Sequence, residues 1–222
     1  MDEEIVCGID EAGRGPILGP LVLACVLLDS RAKKTLAKMG VRDSKKLSPE
    51  RREQLEPEIK KHALEWSITK ISPPEIDRLR NTMSLNDIEA LKISELIMGL
   101  DNMPHKIIVD AADTVQESFG MRIVSHTSRL NPEFMLPQIV SEHKADDRYV
   151  EVGAASIIAK VERDREIRTL SLKHGEIGSG YPSDTVTQEY LRRTLRGGVL
   201  PDFVRRSWNT LEKSKQMTLT EF

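Results

Sequence analysis

Four acidic positions fall where a chain could deliver them to one spot. Asp10 and Glu11 close a β-branched apolar stretch, Asp110 closes another, and Asp146 sits in His143-Lys144-Ala145-Asp146, just ahead of a long helical stretch. Carboxylates from several strand and loop ends can converge on one mouth of a sheet. Negative charge concentrated there is unfavourable unless a hard cation neutralises it, and Mg²⁺ or Mn²⁺ prefers such oxygen ligands. Two such ions can clamp the attacking and leaving oxygens of a phosphodiester in line. Spacing alone leaves two choices open: Asp113 competes with Asp110, and Asp147 with Asp146. An adjacent Asp-Glu pair at a strand end is also an ordinary turn feature.

The same stretch carries Gly13-Arg14-Gly15-Pro16 with Gly19. The spacing does not match the G-x-G-x-x-G of a dinucleotide site, and a strand follows rather than a helix. No Gly-Lys-Ser/Thr phosphate loop, Ser/His/Asp order or activated-cysteine signature is present. What remains is a glycine turn beside acids, where backbone can approach another group closely.

The elements that must position these residues follow from the pattern. Glu4–Asp10 and Pro20–Asp29 read as strands, the second buried on both faces because its apolar run is nearly continuous. Ser48-Pro49-Glu50 starts a helix over Arg51–Leu64, and Glu65–Ile71 alternates as a strand. Ser84 and Asp87 resemble a capping box, with Ile88, Leu91, Leu96 and Leu100 at helical spacing behind them. Lys106–Asp110 and Met135–Val140 read as strands, and Glu151–Lys173 as a long helix whose Gly153-Ala154-Ala155-Ser156 permits close packing. Ser179–Pro182 is a loop, with helices expected over Thr185–Leu195 and Val204–Lys215. Strands dominate the first two-thirds and helices the rest, which predicts an α/β core with a helical C-terminal extension.

Composition sets the class. The 222 residues are 39% hydrophobic and 31% charged, fitting a globular chain with one main domain. No apolar run approaches the roughly 20 residues needed to cross a bilayer. The acidic opening Met1-Asp2-Glu3-Glu4 is unlike a secretory signal, and Cys7 and Cys25 read as buried thiols of a cytoplasmic protein. The net charge of −2 argues mildly against nucleic acid, but its distribution matters more. From Lys160 to Gln216 twelve basic residues face eight acids, so the C-terminal quarter is net basic. A solvated helical surface is the plainer account, and composition alone slightly favours it.

Seven blocks together resemble one family. Gly8-Ile9-Asp10-Glu11-Ala12-Gly13-Arg14-Gly15-Pro16, Asp43-Ser44-Lys45-Lys46-Leu47-Ser48, Val109-Asp110-Ala111-Ala112-Asp113 and His143-Lys144-Ala145-Asp146 look like ribonuclease HII in its archaeal form. So do Ala154-Ala155-Ser156-Ile157-Ile158-Ala159-Lys160-Val161, Gly178-Ser179-Gly180-Tyr181-Pro182-Ser183-Asp184 and Val204-Arg205-Arg206-Ser207-Trp208. The resemblance implies an RNase H-like mixed sheet flanked by helices. It implies a catalytic domain over 1–180, a helical region over 181–215, and Asp10, Glu11, Asp110 and Asp146 as catalytic and metal-binding acids. The implied substrates are RNA–DNA hybrids and duplex DNA carrying a single ribonucleotide. Cleavage falls 5′ of the ribonucleotide and leaves 3′-hydroxyl and 5′-phosphate ends. Distinguishing RNA from DNA means sensing a 2′-hydroxyl. In the family that falls to the Gly13-Arg14-Gly15 backbone and the Tyr181 hydroxyl. Lys45, Lys46, Lys160 and the basic tail are candidate phosphate contacts, although a given lysine is more often merely solvated. The family also suggests a monomer.

The final seven residues, 216–222, match Q-x-x-L-x-x-F through Gln216, Leu219 and Phe222. They look like the peptide by which replication and repair enzymes dock on the sliding clamp, with two apolar anchors one helical turn apart. Two rivals stand beside the nuclease reading. A non-catalytic nucleic-acid binder on the same scaffold would tolerate loss of the acids, all of which are present. A metal-dependent phosphatase or DNA nuclease would use similar carboxylates, and a duplex with one ribonucleotide against its all-DNA twin separates the three.

Overall fold

The structure, a computed structural model, describes residues 4–42, 46–209 and 211. Its centre is a five-stranded sheet in the order β3-β2-β1-β4-β5. Strand β1 (Val6–Ala12) pairs antiparallel with β2 (Leu21–Leu28), setting Gly8 opposite Val26 and Asp10 opposite Ala24. On its other edge β1 runs parallel to β4 (Lys106–Asp110), with Ile9 beside Val109, and β4 runs parallel to β5 (Gln138–Glu142). Strand β3 (Glu65–Ile71) flanks β2. All eight residues of β2 are buried, which is why its sequence is apolar without alternation.

The helices start where the local chemistry demands. The hydroxyls of Ser48, Ser72 and Ser84 cap α2 (Pro49–His62), α3 (Pro73–Arg80) and α4 (Leu85–Met98), accepting from the backbone N–H groups of Arg51, Glu75 and Asp87. Helix α1 (Ser30–Lys38) is capped by Asp29, whose carboxylate accepts from Ala32 N–H at 2.6 Å. Further helices are α5 (Gln116–Leu130), the short α6 (Ala145–Arg148), α7 (Val150–His174) and α8 (Thr185–Arg196).

Most expected elements stand within a few residues of their predicted bounds. The balance of strand and helix does not: α1, α3 and α5 fall in the supposedly strand-rich part of the chain. Asp29 caps a helix rather than ending a strand, and α5 has no side-chain cap, so it lacks a start signal. Strand β5 begins after Pro137 rather than at Met135, as expected of a residue with no N–H for the ladder. The helix expected from Val204 is absent at its start. Val204 bridges to Leu18 and the chain turns at 206–207 before residue 209 becomes helical. Both cysteines are buried free thiols. Among the described residues no helix is long and apolar enough to cross a membrane.

The chain divides into two compact units. The first comprises Met1–Ala12, Val22–Thr69 and Ser84–Val161. One of its core clusters joins Val22, Ala24, Val26 and Leu28 of β2 to Leu36 of α1, Leu55 and Ile59 of α2, and Ala154 and Ile158 of α7. The second comprises Gly13–Leu21, Lys70–Met83 and Glu162–Phe222, and its core gathers Ile17, Leu18, Ile167, Ile177, Tyr190, Leu191, Phe203 and Val204.

At Gly8 the contact between strand and helix is backbone on backbone. A Cβ at Gly8 would lie 2.1 Å from the carbonyl carbon of Glu151 and 2.3 Å from the nitrogen of Val152. Only glycine lets the first turn of α7 lie directly on β1. Gly8→Ala is therefore expected to lose about 3 kcal/mol or more in urea unfolding. A loss below about 1 kcal/mol would show that helix and strand can part at little cost.

Candidate active site

The packing at Gly8 fixes what lies further along. Two residues on, Asp10 shares the Gly8 face of β1, about 6.6 Å away at strand rise. Four residues beyond Val152 on α7 is Ser156, about 6 Å away at helix rise. Strand and helix thus advance in step, and the Ser156 hydroxyl meets the Asp10 carboxylate in a hydrogen bond. One turn later Lys160 donates to Ser156 Oγ at 2.6 Å.

Asp110 arrives from the other side. Ile9 pairs with Val109 on parallel strands, so Asp10 and Asp110 are each one residue further on and share a face. Asp110 Oδ1 accepts the Ala145 N–H at 3.0 Å, which ties the end of β4 to the start of α6. Lys144 takes a left-handed conformation (φ 56°) to enter that turn, and Asp146 behind it is fully buried. Asp10 is 6% exposed and accepts the Glu11 N–H at 2.8 Å. Burial first, then the charges of Glu11 and Asp110, push the Asp10 carboxyl well above its ordinary range, while Lys160 and the Ser156 hydrogen bond pull it down.

The rival acids lie in other surroundings. Asp113 is engaged by Asn86 and by Arg122, whose Nε stands 2.7 Å away, and Asp147 is exposed. Among the described residues no group of three or more His, Cys, Asp or Glu side chains stands ready-made to hold a metal ion. Asp10, Glu11 and Asp110 nevertheless share one electrostatic neighbourhood and offer only hard oxygen donors. The donor chemistry and the raised Asp10 both fit a divalent cation, whose charge would favour the ionised form.

In the second unit Gly13, Gly15 and Tyr181 come together. Gly13 has φ +92°, and a Cβ there would stand 2.6 Å from Arg163 Cδ and 2.7 Å from the Pro20 carbonyl oxygen, so glycine is required twice over. At Gly15 a Cβ would meet Tyr181 Cε1 at 3.6 Å, an ordinary contact. The Arg163 guanidinium lies 5.3 Å from the Tyr181 ring centroid and donates to the Ser179 carbonyl at 3.0 Å. The Tyr181 loop is pinned by Asp184, which accepts from Ser179 N–H and Oγ, both at 2.6 Å, and from Val186 N–H at 2.9 Å. Thr187 Oγ1 accepts from Gly180 N–H and donates to the Ile177 carbonyl.

Of the remaining expected contacts, Arg14 is half-buried and Lys46 exposed. Lys45, Gln216, Leu219 and Phe222 lie outside the described residues. Sequence reading missed Ser156 and Arg163 as neighbours of functional groups. For Ser156 the available signal was its spacing of four from Lys160 on one helix face. Arg163 gave none, since a base in a charged helix resembles a solvated one.

A mixed sheet of this order with acids at its strand ends defines the RNase H-like class. A family model described as Ribonuclease HII matches residues 7–211. The chain is 47% identical over 215 residues to a ribonuclease HII of Methanothermobacter thermautotrophicus, covering 95% of this chain and 99% of that one. Ribonuclease H2 from Pyrococcus horikoshii OT3 superposes with a TM-score of 0.87 at 40% identity, covering 97% of this chain and 99% of that one. The PCNA:RNase HII complex from Archaeoglobus fulgidus contains a similar chain, with a TM-score of 0.85 at 40% identity and coverage of 98% and 100%. This chain therefore belongs to the ribonuclease HII family and is a ribonuclease H.

The Asp184 bonds lower its carboxyl from 3.8 to about 2, mainly through Ser179. Because folding depresses this pKa, its stabilisation is complete above about pH 4 and is lost as pH falls through about 2. Asp184→Asn is expected to melt earlier than the wild type at pH 7, with the gap closing between about pH 4 and 2. A gap independent of pH would remove the charged carboxylate as the cause.

Proposed function

We propose that the protein hydrolyses the RNA strand of RNA–DNA hybrids as a metal-dependent endonuclease. Its substrates include duplex DNA carrying one ribonucleotide. The cut falls 5′ of the ribonucleotide and leaves 3′-hydroxyl and 5′-phosphate ends. The observation that carries this reading is the buried Asp10 under the charges of Glu11 and Asp110, in a chain of the ribonuclease HII family.

In this reading Asp10, Glu11, Asp110 and Asp146 hold Mg²⁺ or Mn²⁺. When bound, one or two such ions would supply Lewis-acid stabilisation of charge building on the attacking and leaving oxygens of the phosphodiester. The chain's own groups prepare that site. Ser156 and Lys160 hold the Asp10 carboxylate in place and favour its ionised form. The Ala145 N–H orients Asp110. Lys160 is also a proposed phosphate contact, as are Lys45 and Lys46.

Ribose recognition falls to the Gly13-Arg14-Gly15 backbone and the Tyr181 hydroxyl, whose ring stacks on the neighbouring sugar. A 2′-hydroxyl both donates and accepts, so backbone groups beside a phenol are suitable partners. We assign residues 216–222 to docking on a sliding clamp through Gln216, Leu219 and Phe222. The similar Archaeoglobus fulgidus chain in a PCNA complex supports that assignment. The protein acts as a monomer in the cytoplasm.

Two experiments test these assignments. Wild-type protein should cut a duplex with one ribonucleotide and spare its all-DNA twin, and Asp10→Asn should lower cleavage at least about a thousandfold while keeping its melting temperature. Full activity of Asp10→Asn in excess Mg²⁺ would remove the acid assignment. Deleting 216–222 should leave hydrolysis unchanged and abolish retention on immobilised clamp; equal retention of both proteins would end the docking proposal.

A further inference from the structure

The block Val204-Arg205-Arg206-Ser207-Trp208 has no place in the catalytic reading, yet its contacts converge on one loop. Arg205 is fully buried. Its Nε donates to the Gly19 carbonyl at 3.0 Å, its Nη1 to the Arg14 carbonyl at 3.2 Å, and its Nη2 to the Gly13 carbonyl at 2.6 Å. Trp208 Nε1 donates to the Gly15 carbonyl at 3.3 Å, and the Arg205 guanidinium lies 4.8 Å from the Trp208 ring centroid. Backbone bonds lock the same partners: Gly19 N–H to the Phe203 carbonyl and Arg205 N–H to the Ile17 carbonyl, both at 2.9 Å.

Three consecutive carbonyls, those of Gly13, Arg14 and Gly15, are thus spoken for inside the protein. In a planar trans peptide the C=O and N–H point in opposite directions. The Gly13 carbonyl turned to Arg205 therefore aims the Arg14 N–H the other way, and the Arg14 carbonyl does the same for the Gly15 N–H. The Gly15 carbonyl precedes Pro16, which has no N–H. The outcome is an edge of two successive amide donors whose direction is set from behind. A planar guanidinium with a fixed fork of donors can hold several carbonyls at once, which a lysine ammonium on a flexible stem cannot reproduce.

We propose that Arg205 and Trp208 are positioning residues for ribose recognition, fixing the Gly13–Gly15 carbonyls so that the Arg14 and Gly15 N–H groups point at the substrate's 2′-hydroxyl. This rests on the reading of that loop as the ribose sensor. Arg205 and Trp208 act through the loop and touch no substrate.

The test is an affinity ratio, measured in EDTA so that nothing is cut: binding of a duplex with one ribonucleotide relative to its all-DNA twin. Trp208→Phe removes a single donor and should lower the ratio about threefold to tenfold, with all-DNA affinity and melting temperature unchanged. Arg205→Lys should lower it at least as far; should that variant fail to fold, Trp208→Phe decides alone. Gly15→Ala is the control, because its added carbon fits against Tyr181 yet sits on the loop itself. A wild-type ratio in folded Trp208→Phe, with the ratio lost in Gly15→Ala, overturns the positioning role alone. An equal loss of affinity for both duplexes in Trp208→Phe overturns it too, as a purely structural effect. Wild-type ratios in both variants overturn the sensor reading and the positioning role together.

Discussion

Helix α7 lies on strand β1 with no side chain between them, because position 8 is glycine and the peptide at Glu151–Val152 occupies the space a Cβ would need. Backbone contact of that kind leaves little room for sliding. It sets a common origin from which strand and helix count forward in nearly equal steps, so Ser156 reaches Asp10 and Lys160 stands one turn beyond. The parallel ladder between β1 and β4 then adds Asp110 on the same face. The acidic site of the first unit depends on this registration more than on any single bond within the site.

An acid placed so deeply is costly on its own. Asp10 is raised by burial and by two neighbouring carboxylates, and Lys160 with Ser156 offsets only part of that. Such frustration is typical of sites that gain their full stabilisation from a ligand. The loops of the second unit are the opposite case. Asp184 and Thr187 bond to each other and to the Ser179–Gly180 backbone, while Arg163 and Arg205 donate to loop carbonyls. One part of the protein holds unspent charge, and the other is set rigidly.

Much of this was legible from the residues. Strands β1, β2 and β4 follow from apolar runs ended by Gly or Asp, β3 from alternation, and the Ser caps announced α2 and α4. The acids at strand ends could be seen, but not which of Asp110 and Asp113 faces Asp10. That depends on a parallel pairing between strands nearly a hundred residues apart, to which local pattern is blind. Helix α5 escaped because Val115 gives no cap. The deepest misreading concerns charge. Arg163 and Arg205 look like members of a solvated basic face, yet they are 5% and 0% exposed. Sequence shows that a guanidinium is present; only the fold shows that its partners are backbone carbonyls.

The distance in sequence between Arg205 and the loop it grips has a bearing on biosynthesis. Its three carbonyl partners lie 186 to 192 residues upstream. Every acid of the first unit's cluster leaves the ribosome well before that clasp exists, and closing such long loops comes late in folding. The acids are thus synthesised ahead of the side chain that holds the Gly13–Gly15 carbonyls, and that loop gains its clasp only once Arg205 has been made.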